Sequence, residues 1–437
     1  MTVRVALVSL LVSMLVLGGV VSFLGGTVQE RIGLDAFRTQ ADFQAYLSAL
    51  RQAESSTGGL QWPQVGPFTD VTSATGTREA DGGFSTTNVQ VAGVDEADIV
   101  KTDGEFLYLA SGEEVVLIRA HPPASMGIVS KIRPSDFVGD GDSAVRILGL
   151  FLYEDTLVVI SSSLATFGGH RILPASDYGM LILESRTVVS LFSVADPRDP
   201  TFLQFFELSG SYQASRLKGG VVYLVLHQTL WIQGDEVSYP TFCADGRCEP
   251  YDAHRIFYDA EASDAGSLTN VVAIDLEGEQ VGYLSVLTGF ASTVYMSLEN
   301  LYVTFAKWGR LGLPFPRPDL TSTGTGFTSI YRISVAGTNL VPVAGANVRG
   351  WVLNQFSLDE HRSYLRVATT TWGSATENNV YVLDPDLAVV GALEGLARGE
   401  TIYSARFVGE LGYLVTFQKV DPFFVLDLSI PDRPEVL

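Results

Sequence analysis

A four-part strand pattern recurs about six times along residues 99–437, and it constrains the fold more than any other feature of the sequence. Each unit has two short apolar strands joined by a hairpin turn, then a third strand, a polar turn and a fourth strand. The unit that starts near Val145 shows the pattern as ILGLFLY, TLVVISS, VSLFSV and FLQFFEL. Short β-branched and aromatic runs between Gly, Asp and Pro turns are typical of antiparallel strands.

A four-stranded sheet with apolar residues on both faces cannot bury them alone, whereas sheets stacked radially bury them against one another. The sequence therefore predicts an all-β fold, a β-propeller of four-stranded antiparallel blades. A linear β-sandwich is the alternative, and six matching units favour the ring. The last unit stops where its fourth strand is expected. Either a strand such as Asn88–Val91 completes the final sheet, or the ring is truncated because the chain is a fragment.

An apolar run from Val5 to Leu24 follows Arg4 near the N-terminus. About 20 apolar residues suffice to span a bilayer as a helix, and this run exceeds the usual core of a signal peptide. We interpret residues 1–26 as a retained signal anchor or a cleaved signal peptide, and a buried helix of a globular domain is disfavoured. Both interpretations place the rest of the chain outside the cytoplasm, secreted or attached to the membrane through this helix.

Three further segments are predicted after the apolar run. Residues 27–55 carry apolar side chains at roughly helical spacing, which predicts a short amphipathic helix. Residues 56–84 are rich in Ser, Thr, Gly and Pro and are predicted to form a flexible linker. Residues 85–437 form the predicted propeller domain.

The formal net charge of -21 argues against nucleic acid as a partner, because an acidic surface repels phosphate backbones. The expected partners are instead the membrane, through the N-terminal helix, and an extracellular protein or glycan.

Four phrases of the sequence carry a resemblance to a known family. They are TTNVQVAGVDEADIVKTDGEFLYL, SLFSVADPRDP, SYQASRLKGGVVYLV and DPFFVLDLSIPDRPEVL. The chain from Thr86 onward resembles a family of exported archaeal and bacterial proteins with a C-terminal β-propeller, which is distantly similar to WD repeats. The resemblance implies a secreted or membrane-tethered propeller and brings no catalytic residue set. Family members usually continue beyond the point at which this sequence stops.

Carboxylates crowd the first of these phrases, at Asp95, Glu96, Asp98 and Asp103. Ca²⁺ takes six to eight oxygen ligands, so Asp95, Asp98 and Asp103 are candidate ligands. Their spacing matches no EF-hand loop, and the same residues suit strand ends and the hairpin turn at Asp103-Gly104. We favour the structural interpretation and keep the calcium site as its alternative.

Cys243 and Cys248 are the only cysteines of the chain and flank an Asp-Gly turn. In an exported chain this spacing predicts a local disulfide that closes a hairpin. A zinc site is disfavoured because it needs two further ligands, and none lies at the required spacing.

No linear catalytic motif is present, although propeller enzymes assemble active sites from residues of many blades. Of the five histidines, His227 and His254 are the ones we would mutate. Long insertions between strands are the expected place for specificity, since loops on a rigid scaffold often carry function. Their aromatic side chains are candidate binding residues or, alternatively, cover the propeller's own surface: Tyr239, Phe242, Tyr251, Tyr258, Trp308 and Phe315.

Two functions follow from these features. The first is a binding scaffold for a protein or a glycan on the outer side of a membrane. The alternative is a propeller hydrolase or lyase with an axial active site, assisted by Ca²⁺. An enzyme predicts an open axial pocket in which carboxylates and a His or Arg from several units converge.

Overall fold

The computed structural model describes residues 31–56, 89–138, 145–164, 185–233, 236–259, 266–278, 280–289, 291–307, 326–372, 376–417 and 422–437. The predicted transmembrane or signal helix at residues 1–26 lies outside these residues, as does the predicted linker after Ser56. No helix within the described ranges is long and apolar enough to cross a membrane.

Two short strands and one helix precede the repeated units: β1 (Arg31–Ile32), β2 (Leu34–Ala36) and α1 (Gln40–Ser56). A helix thus follows β2, whereas residues 31–36 of the range predicted as helical form β1 and β2. The helix begins after β2 because residues 34–36 pair with a strand located much further along the chain. Strand β3 (Asp95–Glu96) lies in the segment that leads into the first sheet.

Six antiparallel sheets, numbered here in chain order, account for the repeats. Sheet 1 contains β4 (Val100–Thr102), β5 (Phe106–Ser111), β6 (Glu114–Arg119) and β7 (Gly127–Ile132), and sheet 2 contains β8 (Val145–Tyr153), β9 (Thr156–Leu164), β10 (Ser185–Ser193) and β11 (Thr201–Ser209). Sheet 3 begins with β12 (Ser211–Lys218) and β13 (Val221–Thr229). An insertion then supplies β14 (Ile232–Gln233), β15 (Glu236–Val237), β16 (Thr241–Ala244), β17 (Arg247–Pro250) and β18 (Ile256–Asp259).

The chain then returns to sheet 3 with β19 (Ser267–Asp275) and β20 (Val281–Leu287). Sheet 4 contains β21 (Thr293–Met296), β22 (Asn300–Lys307), β23 (Phe327–Ala336) and β24 (Asn339–Arg349). Sheet 5 contains β25 (Leu358–His361), β26 (Tyr364–Thr371), β27 (Glu377–Leu383) and β28 (Val389–Leu396), and sheet 6 contains β29 (Thr401–Val408), β30 (Leu411–Phe417), β31 (Phe423–Asp427) and β32 (Glu435–Val436). The predicted four strands per unit are confirmed.

Consecutive sheets pack face to face through apolar side chains. In β5, Phe106 and Tyr108 point towards sheet 2 and are buried, because successive residues of a strand point to opposite faces. Equivalent apolar clusters join sheets 2 and 3, 3 and 4, 4 and 5, and 5 and 6. Each sheet between two neighbours therefore buries both of its faces, as the repeat predicts.

The outer edges of sheets 2, 3 and 4 are covered by additional strands. The hairpin β16–β17 adds to β11 of sheet 2, and β18 pairs in parallel with β20 of sheet 3. Strand β2 then pairs with β18, and β1 pairs with β24 of sheet 4. Covering edge strands in this way removes backbone groups that would otherwise pair with other chains.

A glycine with positive φ connects the fourth strand of one sheet to the first strand of the next at four places. These are Gly210, Gly289, Gly350 and Gly399, with φ of 113°, 93°, 89° and 87°. At three of them a threonine hydroxyl from the third strand donates to the glycine carbonyl, namely Thr187, Thr269 and Thr328. The connection between sheets thus repeats in its geometry as well as in its position.

Sheet 6 takes its fourth strand, β32, from its own unit. The hypothesis that Asn88–Val91 completes the final sheet is wrong for the described part of that segment. Val91 packs instead against the clusters of sheets 3 to 5, and Gln90 donates to the carbonyls of Gln355 and Leu358.

Replacing Gly350 with Ala should lower the free energy of unfolding by about 2 kcal/mol or more. The fold holds this residue at a φ of 89°, which is disfavoured once a side chain is present. A Cβ at this position would also lie 2.8 Å from the Thr370 carbonyl oxygen. Gly127→Ala is the matched control, since a Cβ there meets nothing within 4 Å. Urea unfolding of both variants checks the prediction, and equal stability of the two would contradict it.

Candidate functional site

Residues 89–98, which we call the crossing segment, contact the first strands of several sheets. Asp98 forms a β-bridge with Leu150 of β8, and β3 pairs with β12 at Arg216 and Leu217. Val94 is buried in the cluster between sheets 3 and 4. Ten residues span at most about 35 Å, so the first strands of sheets 2 to 5 converge on this segment.

A buried lysine fixes the C-terminal half of the crossing segment. The Lys101 ammonium donates to both carboxylate oxygens of Asp95, at 2.9 and 2.8 Å, and to the carbonyl oxygen of Glu96 at 2.7 Å. Only 4% of the Lys101 side chain is exposed. A buried cation is tolerated when it is paired and hydrogen-bonded, and here the crossing segment supplies those acceptors.

A second polar group joins the crossing segment to sheet 3 and to the turn before sheet 5. The Arg216 guanidinium lies 3.9 Å from the Glu96 carboxylate and donates to the Gln355 side-chain oxygen. The Gln355 amide in turn donates to the same carboxylate at 3.1 Å. Two carboxylates of the crossing segment therefore meet a lysine of sheet 1 and an arginine of sheet 3, which is one part of the arrangement that an axial active site predicts. Their charges, however, are paired with one another.

The three predicted calcium ligands each have protein donors. Asp95 accepts from Lys101, and one Asp98 oxygen accepts from the Ile99 backbone N–H at 2.7 Å. Asp103 accepts from two backbone N–H groups of its hairpin turn and from the Tyr108 hydroxyl. In the described ranges, no three His, Cys, Asp or Glu side chains come together as metal ligands. These contacts suit the structural interpretation, and the calcium site stays a prediction.

The predicted disulfide is confirmed: the Cys243 and Cys248 sulfur atoms are 2.03 Å apart. The two residues face each other across the β16–β17 hairpin. Cys243 is fully buried, and Cys248 is exposed. The bridge therefore closes the hairpin that covers the outer edge of sheet 2.

The described aromatic residues of the insertion contact other parts of the same molecule. Tyr251 is 2% exposed and stacks on Tyr283, with ring centroids 4.1 Å apart. Tyr258 stacks on Phe37, at 4.5 Å. Similar contacts hold the two remaining described candidates, Phe242 against Tyr283 and Tyr239 against Phe43 of helix α1. Trp308 and Phe315 lie outside the described residues, and the role of all six in binding stays a prediction.

A shallow depression of about 380 Å³ lies at the outer edges of sheets 3 and 4. We call it the rim depression, and its polar and aromatic lining residues are Asp252, Arg255, Tyr283, Thr338 and Asn339. Arg255 is held by the Tyr283 and Leu340 carbonyl oxygens, at 2.9 and 2.7 Å. Burial lowers the pKa of its guanidinium.

His254 lies beside this depression and orients the Asp252 carboxylate. Its Nδ1 is 2.9 Å from Asp252 Oδ1, and its backbone N–H donates to the same oxygen at 3.0 Å. The side-chain hydrogen bond to His254 is the main reason that the pKa of Asp252 is lowered. Sequence reasoning singled out His254 but missed its neighbours, because Thr338 and Asn339 are remote in sequence and no local motif links them.

A profile of the beta propeller domain family matches residues 84–437. The chain belongs to this family. The propeller predicted from the repeats is thereby confirmed, and sheets 1 to 6 are its blades.

Two archaeal proteins are similar to this propeller. An uncharacterized protein of Archaeoglobus fulgidus is 28% identical over 433 residues, covering 81% of this chain and 63% of the relative. Uncharacterized protein MJ1554 of Methanocaldococcus jannaschii is 27% identical over 431 residues, covering 81% of this chain and 61% of the relative. The chain thus spans less than two thirds of the length of either relative.

Solved structures with partial similarity include the N-terminal domain of Nup159 and Drosophila semaphorin 2a. The Nup159 domain has a TM-score of 0.24 and 9% identity, over 75% of this chain and 88% of that one. Semaphorin 2a has a TM-score of 0.24 and 10% identity, over 76% and 74%. We draw no conclusion about function from similarities of this size.

Replacing Lys101 with Met should lower the free energy of unfolding by about 3 kcal/mol, since it leaves the partly buried Asp95 carboxylate without its cation. The double variant Lys101→Met, Asp95→Asn should recover most of this loss. Lys131→Met is the matched control, because Lys131 pairs with Glu114 at 2.9 Å on the exposed surface. Chemical unfolding near neutral pH measures all three, and equal effects at Lys101 and Lys131 would refute a structural role for the buried pair.

His227, on β13, should make stability depend on pH. Burial lowers its pKa from 6.5 to about 4, so the unfolded chain binds this proton more readily than the folded one. The contribution is complete above pH 6.5 and is lost as the pH falls towards 4. We expect His227→Gln to remove about 2 kcal/mol of the stability difference between about pH 7 and about pH 4.5.

Urea unfolding of the wild type, His227→Gln and His121→Gln at both pH values measures this difference. His121 is exposed, so its substitution is the control and should leave most of the wild-type dependence in place. If His227→Gln retains the full dependence, carboxylates rather than His227 account for it.

Proposed function

We propose that this propeller is an exported, membrane-tethered binding scaffold that takes a glycan at the rim depression. The observation that carries the scaffold role is the pairing of charges at the crossing segment. Lys101 donates to Asp95, Arg216 donates to Gln355, and Gln355 donates to Glu96, whose carboxylate lies 3.9 Å from the Arg216 guanidinium. A scaffold uses such pairs to hold its blades together, and each of these groups has a protein partner in this structure.

The chemistry of the rim depression favours a polyhydroxylated ligand. Asp252 offers a carboxylate, Thr338 and Asn339 offer neutral donors and acceptors, and Tyr283 adds aromatic surface. Sugar hydroxyls both donate and accept hydrogen bonds, so they suit a mixed set of this kind. The depression is open, and the hydrogen bonds of Arg255 to two backbone carbonyls hold its lining in place. An open site suits the end or a branch of a glycan chain better than a small molecule that must be enclosed.

Two sequence features support export. The apolar run at Val5–Leu24 is long enough to span a bilayer, and the Cys243–Cys248 bridge is typical of oxidising compartments. Protease added to intact cells should digest the blades of an exported chain, whereas a chain kept in the cytoplasm would be protected.

A glycan array followed by calorimetric titration of the strongest glycan tests the proposed ligand class. Asp252→Asn should weaken binding about tenfold, because a hydrogen bond to a charged acceptor is about twice as strong as a neutral one. This substitution keeps an oxygen that can accept the backbone N–H of His254.

Asp432→Asn, in a surface turn of blade 6, is the matched control and should bind like the wild type. Binding that is insensitive to Asp252→Asn would place the ligand elsewhere on the propeller. An array without any bound glycan would overturn the proposed ligand class.

A further inference from the structure

Arg255 lines the rim depression with a partly buried guanidinium. It forms no ion pair with a carboxylate among the residues that the structure describes, because the Asp252 carboxylate of the same depression is hydrogen-bonded to His254 instead. Burial of a cation without an anionic partner is unfavourable, and the lowered pKa of Arg255 reflects this. An anionic group of a ligand would therefore supply what the protein itself does not.

Two backbone carbonyls fix the orientation of this guanidinium. Its Nε donates to the Tyr283 carbonyl oxygen and its Nη2 to the Leu340 carbonyl oxygen. The third nitrogen, Nη1, has no hydrogen-bond partner in the described ranges and reaches solvent. Both N–H donors of Nη1 are therefore available to a ligand. Arginine pairs strongly with carboxylates because its planar fork of donors matches their two oxygens.

Tyr283 holds the two charged residues of the depression in place relative to each other. Its carbonyl oxygen accepts from Arg255, and its hydroxyl oxygen accepts from the Asp252 backbone N–H at 3.3 Å. The adjoining wall is rigid as well, since a Cβ at Gly282 would lie 1.7 Å from the Thr338 carbonyl oxygen. The depression thus presents one cation and one carboxylate from a preorganised lining.

We propose that the rim depression binds an acidic sugar at the end of a glycan, with the sugar carboxylate on Arg255 and sugar hydroxyls on Asp252 and Asn339. This inference rests on the glycan binding proposed above and adds the charge and the orientation of the sugar. A neutral sugar would leave the guanidinium without an anion. The formal net charge of -21 favours one acidic sugar over a polyanionic chain, because the whole protein repels repeated negative charges.

Carboxyl reduction provides matched ligands, because it converts the sugar carboxylate to an alcohol and leaves the other hydroxyls in place. A glycan array should carry each acidic glycan beside its reduced form, together with sulfated and phosphorylated glycans. We expect the wild type to bind the acidic form about tenfold more tightly, because hydrogen bonds between charged groups are stronger than neutral ones. Equal binding of the two forms, or a preference for sulfated or phosphorylated glycans, would overturn the inference.

Substitution of Arg255 tests which residue reads the charge. Calorimetric titration of Arg255→Gln should show about tenfold weaker binding of the acidic glycan and unchanged binding of its reduced form. Arg255→Lys keeps the positive charge without the planar fork and should retain part of the preference. A purely structural role would weaken both forms equally, and an unchanged preference in Arg255→Gln would place the carboxylate elsewhere; either result contradicts the assignment.

Arg198→Gln is the matched control, because Arg198 is an exposed arginine in a surface turn of blade 2. It should bind both forms like the wild type. The two proposals about this site also fail in different ways. If both forms bind equally and both are weakened by Asp252→Asn, the glycan site stands and its acidic preference is wrong. If no glycan binds, the proposed function fails and this inference fails with it.

Discussion

Burial of both faces of every blade is the constraint on which the rest of this propeller depends. A four-stranded sheet that is apolar on both sides gains little by folding alone, because the apolar side chains of both faces would stay in water. Each interior blade solves this by packing between two others. The stability of the fold is therefore distributed over the interfaces between blades. The glycine connections matter because they determine how each blade packs on the next.

The crossing segment adds charged groups that are largely removed from water, at the place where the first strands of sheets 2 to 5 converge. Its charges are taken out of water, which is unfavourable unless each finds a partner. The pairing of Lys101 with Asp95, and of Arg216 and Gln355 with Glu96, meets this requirement with groups from different blades. The same pairing ties several blades to one ten-residue segment.

The parts of the molecule that sequence could predict are those determined by neighbouring residues. Strands β8, β9 and β11 begin and end within about two residues of the phrases ILGLFLY, TLVVISS and FLQFFEL that predicted them, because alternation and turn residues are local signals. The Cys243–Cys248 bridge was predictable for the same reason. The crossing segment was not, since Gln90 meets its acceptors 265 and 268 residues away. The rim depression likewise joins two distant stretches, and neither has a motif of its own.

The strands at the N-terminus have a consequence for how the chain folds. Strand β2 pairs with β18 and β1 with β24, so each edge strand is synthesised roughly two hundred or more residues before its partner. Blades can form one by one from local hairpins as synthesis proceeds, whereas these two strands must wait for blades 3 and 4. Until these two strands dock, the outer edges of blades 3 and 4 expose unpaired backbone N–H and C=O groups that can pair with strands of other chains. The beginning of the chain therefore completes its pairing only after blades 3 and 4 have formed.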